Sequence, residues 1–354
     1  MHCSHRKLLF CFICIIYSSA YSQTIGGSSV FNFLKLSNAP QLTALGGINT
    51  SNLSNDVSLS FNNPALLRKE MHSQMAAVFN VFYADIKNLH WMLGYHHQKL
   101  QTNFSFGLNY FGYGSVQQTD AAGNILGTFR PNDYVVQFAA SRKYLERWYY
   151  GATLKFISSN YSQYRSNGLA FDFGVNYYDS SRLLQVGFVV KNMGLQLKKY
   201  AGQAEDMPFD MQIGITKRLA KAPLQFSFAA QHLHQFDILY NDTAFNNDNF
   251  ITANNSKFFD KLFRHFIMAT QIYVGDKVEV TVGYNFLRRA ELKISNAPNG
   301  LNGFSMGVGV LLSKLQVRYA RSHYQNNTAY NQLGLNMPLN KYFGLGKFGE
   351  GVGW

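Results

Sequence analysis

Charged side chains on strand-patterned segments are where this chain could do chemistry. On the polar faces of such segments stand Lys155, Asp172, Asp210, Glu279 and Arg318. An ion inside a barrel wall is costly unless it is paired, so these five are candidate lumenal charges. They could line a binding or conduction path, or form ion pairs that fill a closed lumen. Histidines come as two pairs, His96–His97 and His232/His234. Neighbours on a strand point to opposite faces, so His96 and His97 cannot share an ion. His232 and His234 share a face, but no third ligand is evident beside them. No G-x-S-x-G or H-E-x-x-H motif occurs. The expectation is a protein that is not an enzyme, with no cofactor and no metal.

The elements that must position those charges are strands. From His72 onward, segments of about ten residues alternate apolar and polar side chains and are separated by turn residues. In "NFSFGLNYFGYG", Phe104, Phe106, Leu108 and Tyr110 oppose Asn103, Ser105, Gly107 and Asn109. In "LAFDFGVNYY", Leu169, Phe171, Phe173 and Val175 oppose Ala170, Asp172, Gly174 and Asn176. The polar face is rich in Gly, Ser, Asn and Gln rather than Lys and Glu, which suits a packed lumen better than a solvated sandwich surface. About fourteen such segments lie between residues 72 and 337. The expected fold is all-β: a transmembrane antiparallel β-barrel of about fourteen strands with an N-terminal lumenal plug.

Composition agrees. Aromatics make up 16% of the chain and charged residues only 14%, against roughly 25% charged in an ordinary soluble domain. The formal charge is +13, of which Arg6 and Lys7 contribute two. Scattered Lys and Arg suit anionic lipid headgroups, lipopolysaccharide or an acidic partner; nucleic acid is not an expected partner of an exported chain. Residues 1–22 read as a cleavable signal peptide, with a basic start, the apolar core "LLFCFICIIY" and "AYS" before Gln23. All three cysteines, Cys3, Cys11 and Cys14, fall inside that signal, so the mature chain cannot rely on disulfides. The expected location is the outer membrane of a Gram-negative bacterium.

Four regions follow: the signal at 1–22, a plug segment at 23–70, the barrel at 71–340 and a tail at 341–354. Connections alternate between short ones and long ones. Short turns belong to the periplasm, which puts both chain ends there and the connections 114–130, 193–206, 234–263 and 289–300 outside. Aromatics near strand ends, including Trp148, Tyr149, Tyr150, Tyr177, Tyr178, Tyr110, Phe111 and Tyr113, are candidate interfacial girdle residues. In the plug, "DVSLSFNNPALL" suggests a strand-like "SLSF" stopped by a turn at Asn62, Asn63, Pro64 and Ala65. In the longest loop, Phe245, Phe250, Phe258, Phe259 and Leu262 are candidate partner-binding residues, the last three on a possible short helix in "KFFDKLFRHF". Phe343 or Trp354 could be the aromatic that closes the barrel.

Two stretches carry a family likeness. "GGSSVFNFLKLSNAPQLTALGG" and the later "DVSLSFNNPALL", with "KLFRHF" before a strand, resemble the PorV/PorQ group of outer-membrane proteins of the Bacteroidetes type IX secretion system. That resemblance implies a FadL-like barrel of fourteen strands with a plug. It also implies a non-enzymatic anchor within the cell-surface attachment complex, holding a PorZ-like surface protein near PorU and PorV while cargo is joined to lipopolysaccharide. The alternative from the same fold is a FadL-like transporter of hydrophobic compounds.

Overall fold

A computed structural model describes residues 29–82, 86–200, 202, 204–238, 258–292, 300–325 and 328–343. The signal-like leader, the tail beyond 343, Phe245 and Phe250 lie outside the described residues.

The period-two segments form one closed antiparallel barrel of fourteen strands. In chain order these are Gln74–Val81, Lys87–His97, Thr102–Gly112, Asn132–Tyr144, Trp148–Tyr161, Tyr164–Asp179, Leu184–Lys198, Asp210–Arg218, Leu224–Ala230, Phe266–Val274, Val278–Asn285, Phe304–Leu311, Gln316–Gln325 and Thr328–Pro338. The first and last strands close the ring, with Gln74 opposite Pro338 and Val81 opposite Asn331. Closure leaves no unpaired edge, which is what a hydrocarbon environment demands of a sheet. The barrel is inside-out relative to a soluble protein. Leu89, Phe138 and Phe171 are about half exposed on the outside, while Asn109, Gln137, Thr216 and Gln332 are fully buried within. It is a transmembrane barrel of the outer-membrane kind.

Turns between strands are short at one end of the barrel, as at 97–102, 144–148 and 311–316. By the short-turn rule this end is periplasmic. Long connections gather at the other end, together with a tight turn at 161–164. Several boundaries differ from the alternation. Residues 193–198, read as loop, continue a strand. The strand before the connection 289–300 stops early, at Asn285, whose side chain accepts the Arg288 N–H at 3.0 Å and starts the helix Phe286–Glu291. The loop 112–132 contains a small hairpin, Val116–Thr119 with Ile125–Phe129. The last strand ends at Pro338, ahead of both Phe343 and Trp354.

Residues 29–73 run through the lumen from its outer mouth to its inner end, turning back to mid-height at Phe61–Asn62. Val30 N–H donates to the Asp206 carbonyl at 2.9 Å among the outer loops, and Leu339 N–H reaches Ser73 at 2.8 Å at the inner end. The placement of both chain ends in the periplasm is therefore corrected: the first described residue, Ser29, sits at the outer mouth. The plug supplies most of the apolar core, with Val30, Phe33, Val57, Phe61 and Met71 packed on inward-facing Met92, Phe111, Val135 and Ile157. Phe111 and Tyr113 are thus not girdle residues. Strand alternation turns Phe111 inward against Phe33, 5.4 Å between ring centres, whereas Trp148, Tyr150 and Tyr110 do face outward.

Candidate functional site

The plug turn is built from its own side chains. Asp56 caps Ser58 N–H at 3.0 Å and starts a 3-10 turn over Val57–Phe61. "SLSF" is therefore helical, not strand-like. Five residues are too few for alternation to separate the two periods, and here both faces are buried. Asn63 accepts the Ala65 N–H at 3.0 Å and so caps a second turn, Pro64–Leu66, with Pro64 at its first position. The amide of Asn63 donates to Thr50 O at 2.7 Å, and that of Asn62 to Asn49 O at 2.8 Å. The wall is cut back to receive this turn. A Cβ on Gly174 would overlap Asn63 Oδ1, and one on Gly151 would come within 2.8 Å of the Pro64 backbone.

All five candidate lumenal charges point inward and are buried. Lys155 and Asp172 pair at 2.5 Å, with the Lys155 ammonium 5.1 Å from the centre of the Phe61 ring. Arg318 bridges Glu279 at 2.6 Å and Asp56 of the plug at 3.1 Å. Asp210 accepts from Gln212 Nε2 at 2.6 Å and from His232 N–H at 2.7 Å. Sequence reasoning missed Asp56 as the plug's own contribution. It also missed Lys191 and Asn192, which together face Asp172 across a bulge in the Tyr164–Asp179 and Leu184–Lys198 ladder. The bulge gives Asn192 a φ of 56° and turns both side chains inward. Lys191 Nζ then reaches Asn62 Oδ1 at 2.7 Å and so ties the wall to the plug turn. Strand parity was the available signal, since Lys191 follows Gln185, Gly187 and Val189 on the inner face.

Above the plug, toward the long loops, a cavity of about 750 Å³ remains. Leu34, Leu36, Ile48 and Leu287 give it an apolar side; Lys35, Lys191 and Arg288 give it a cationic one. Arg288 donates to Ser305 Oγ at 2.8 Å and Gly46 O at 2.9 Å and bonds Ser322, while lying 4.7 Å from the Tyr324 ring. A second recess of about 450 Å³ is lined by Tyr113, Tyr161, Tyr164 and Tyr200 around Asp133. The Asp133 carboxylate accepts from Tyr113 at 2.5 Å, Tyr161 at 3.1 Å and Ser159. Nothing in the spacing of these residues along the chain marked them as neighbours.

At the rim, Phe258, Phe259 and Leu262 lie on the helix Phe258–Phe263, none of whose residues is buried. Phe258 stacks on Phe236 at 5.3 Å, and Lys261 holds Asp237 at 2.5 Å. Phe259 is 67% exposed, so the helix presents a phenyl face that no other described residue covers.

No family model matches the chain, and no curated protein matches it. Among solved structures it is similar to the "CymD monoaromatic hydrocarbon channel", with a TM-score of 0.49 and 11% identity over 87% of this chain and 97% of that one. It is similar also to a "TodX monoaromatic hydrocarbon channel deltaS2 mutant", at 0.48 and 12% over 86% and 98%. A "KdgM porin" follows at 0.34 and 5% over 75% and 98%. These are barrels too, and at such identities the likeness speaks only to the fold, which the strand ladder shows directly.

Proposed function

We propose that this chain is a non-enzymatic outer-membrane anchor, a plugged barrel that holds a surface protein rather than an open pore. The observation that carries the reading is the plug. It is tied to the wall by the Asp56–Arg318 ion pair and the Asn62–Lys191 and Asn103–Leu67 hydrogen bonds, on three different strands. A lumen closed in this way suits a scaffold. The likeness of the N-terminal stretches to the PorV/PorQ group supports a narrower form, in which the chain is PorQ-like. It would then belong to the type IX attachment complex and hold a PorZ-like protein near PorU and PorV. The exposed phenyl groups of Phe258 and Phe259 are the contact offered to that partner.

A second reading has its own observation. The outer cavity joins an apolar side to buried cations, which suits a FadL-like transporter of hydrophobic compounds.

One preparation tests both. The barrel is purified from solubilised outer membrane, and what accompanies it is identified by mass spectrometry of proteins and of solvent-extracted small molecules. The anchor reading expects a PorZ-like protein at near-stoichiometric yield, falling more than tenfold in the Phe258→Asp, Phe259→Asp double variant. Recovery of no surface protein from the wild type overturns it. A stoichiometric hydrophobic compound without a protein partner establishes the second reading in its place.

A further inference from the structure

The pair His232 and His234 lacks a third ligand in the sequence, and the ladder supplies one. Strand Asp210–Arg218 runs antiparallel to Leu224–Ala230, with Ile213 opposite Ala230. Extending that register toward the outer mouth brings Asp210 beside the two histidines. One ring nitrogen from each histidine and one Asp210 oxygen all lie within 4.8 Å of one another.

The backbone goes out of its way to make this cluster. His232 has a φ of 54°, in the left-handed region. Gln231 N–H still bonds His265 O at 3.0 Å, and Leu233 N–H resumes the ladder on Met211 O at 3.0 Å. His232 is thus an extra residue, a bulge that breaks the two-residue period and turns its ring toward Asp210, 3.4 Å away. Strain of this kind at a non-glycine residue gathers at functional sites. The carboxylate is held before any ligand arrives, by Gln212 on one oxygen and His232 N–H on the other, which is how outer partners fix a metal ligand. Phe209 packs edge-on against the His234 ring at 5.0 Å.

We propose that Asp210, His232 and His234 bind one divalent transition-metal ion, with a coordination position left open toward the outer cavity. Two imidazoles and one carboxylate suit zinc, nickel or cobalt better than magnesium or calcium. Ligand atoms around such an ion stand about 3.3 Å apart for bonds of about 2.0–2.1 Å, so closing the site needs side-chain rotation of roughly 1 Å. Three cationic or potentially cationic groups face the cluster. Lys191 stands opposite Asp210 in the ladder, with its ammonium on Asn62 Oδ1 at 2.7 Å. Lys35 of the plug feels both Glu291 and Asp210 itself. His265 has its two ring nitrogens on Gln231 O at 2.7 Å and Phe236 O at 3.0 Å, and is not a fourth ligand. Asp210 and His232 both line the outer cavity, so the open position could take an anionic group of whatever enters there.

The test is a zinc titration of the full-length barrel in detergent, carrying no histidine tag, against a chromophoric competitor. A heat-modifiability gel reports that each variant is folded. The expected result is one zinc per chain, bound at least tenfold more weakly in His234→Ala and in Asp210→Asn. His96→Ala, at the opposite end of the barrel, is expected to bind as the wild type does. Cobalt substitution should give a visible d–d spectrum that disappears in His234→Ala, whose exposed side chain can be lost without harm to the fold. Failure of the wild type to take up zinc at 100 µM overturns the proposal, as does undiminished binding by His234→Ala.

Discussion

The two halves of the lumen handle buried charge differently. Toward the periplasm, the barrel-wall cations that face the plug meet carboxylates: Arg318 has both Glu279 and Asp56, and at mid-height Lys155 has Asp172. Toward the outer mouth, Lys191 and Arg288 are just as buried but rest on neutral oxygens, those of Asn62, Ser305, Ser322 and Gly46. Asp210 stands opposite Lys191 in the ladder, yet its oxygens are taken by Gln212 and the His232 N–H. The inner half is a completed ionic lock. The outer half keeps positive charge in hand beside a cavity.

The largest effect that would separate the halves is at Arg318. Replacing it by Met leaves Asp56 and Glu279 buried without a counter-charge, one on the plug and one on the wall. Removing one member of a buried ionic group costs about 3–5 kcal/mol. The urea midpoint of unfolding, read by loss of the heat-modifiable band, should fall accordingly. A change under about 1 kcal/mol would mean that the inner lock holds nothing.

A smaller effect is expected where the wall yields to the plug. Gly174→Val puts a branched side chain where Asn63 Oδ1 now sits. Overpacking of this kind costs about 1–3 kcal/mol, and the plug turn, held by hydrogen bonds rather than by the chain ends, is the part able to move. Planar-bilayer recordings should then show a conductance higher than that of the wild type. Equal conductance with lowered stability would place the adjustment in the wall and leave the plug seated.

Much of this was legible before any coordinates. Alternation marked the barrel because the two environments of a membrane barrel, lipid outside and polar packing inside, change with every residue; Phe171 and Asp172 are enough to show it. The same rule put Lys155, Asp172, Asp210, Glu279 and Arg318 inside. It failed where the chain leaves the period. The bulges at Asn192 and at His232 re-aim side chains by backbone conformation alone, and no residue type announces either. "SLSF" alternates by coincidence, since every face of a buried 3-10 turn is covered. Pairing across strands far apart in the sequence, as between Asp56 and Arg318, is fixed by which part of the plug reaches which strand, and only the assembled barrel decides that.

The smallest effect is the sharpest test of the comparison, because it sets one buried cation against another. Lys191→Met removes an ammonium that has one hydrogen bond to the plug and no carboxylate partner among the described residues. Its burial opposes folding, and replacement of a buried ion by an apolar chain of similar volume is commonly neutral or stabilising. Against this stands the loss of the contact to Asn62 Oδ1, about 1–3 kcal/mol for an acceptor left unsatisfied. The two contributions are of similar size and opposite sign, so the expected change in stability is within about 1 kcal/mol of zero, well below that at Arg318. A loss as large as at Arg318 would show that the outer half is locked as firmly as the inner. Its positive charge would then belong to the architecture of the plug and not to whatever the cavity receives.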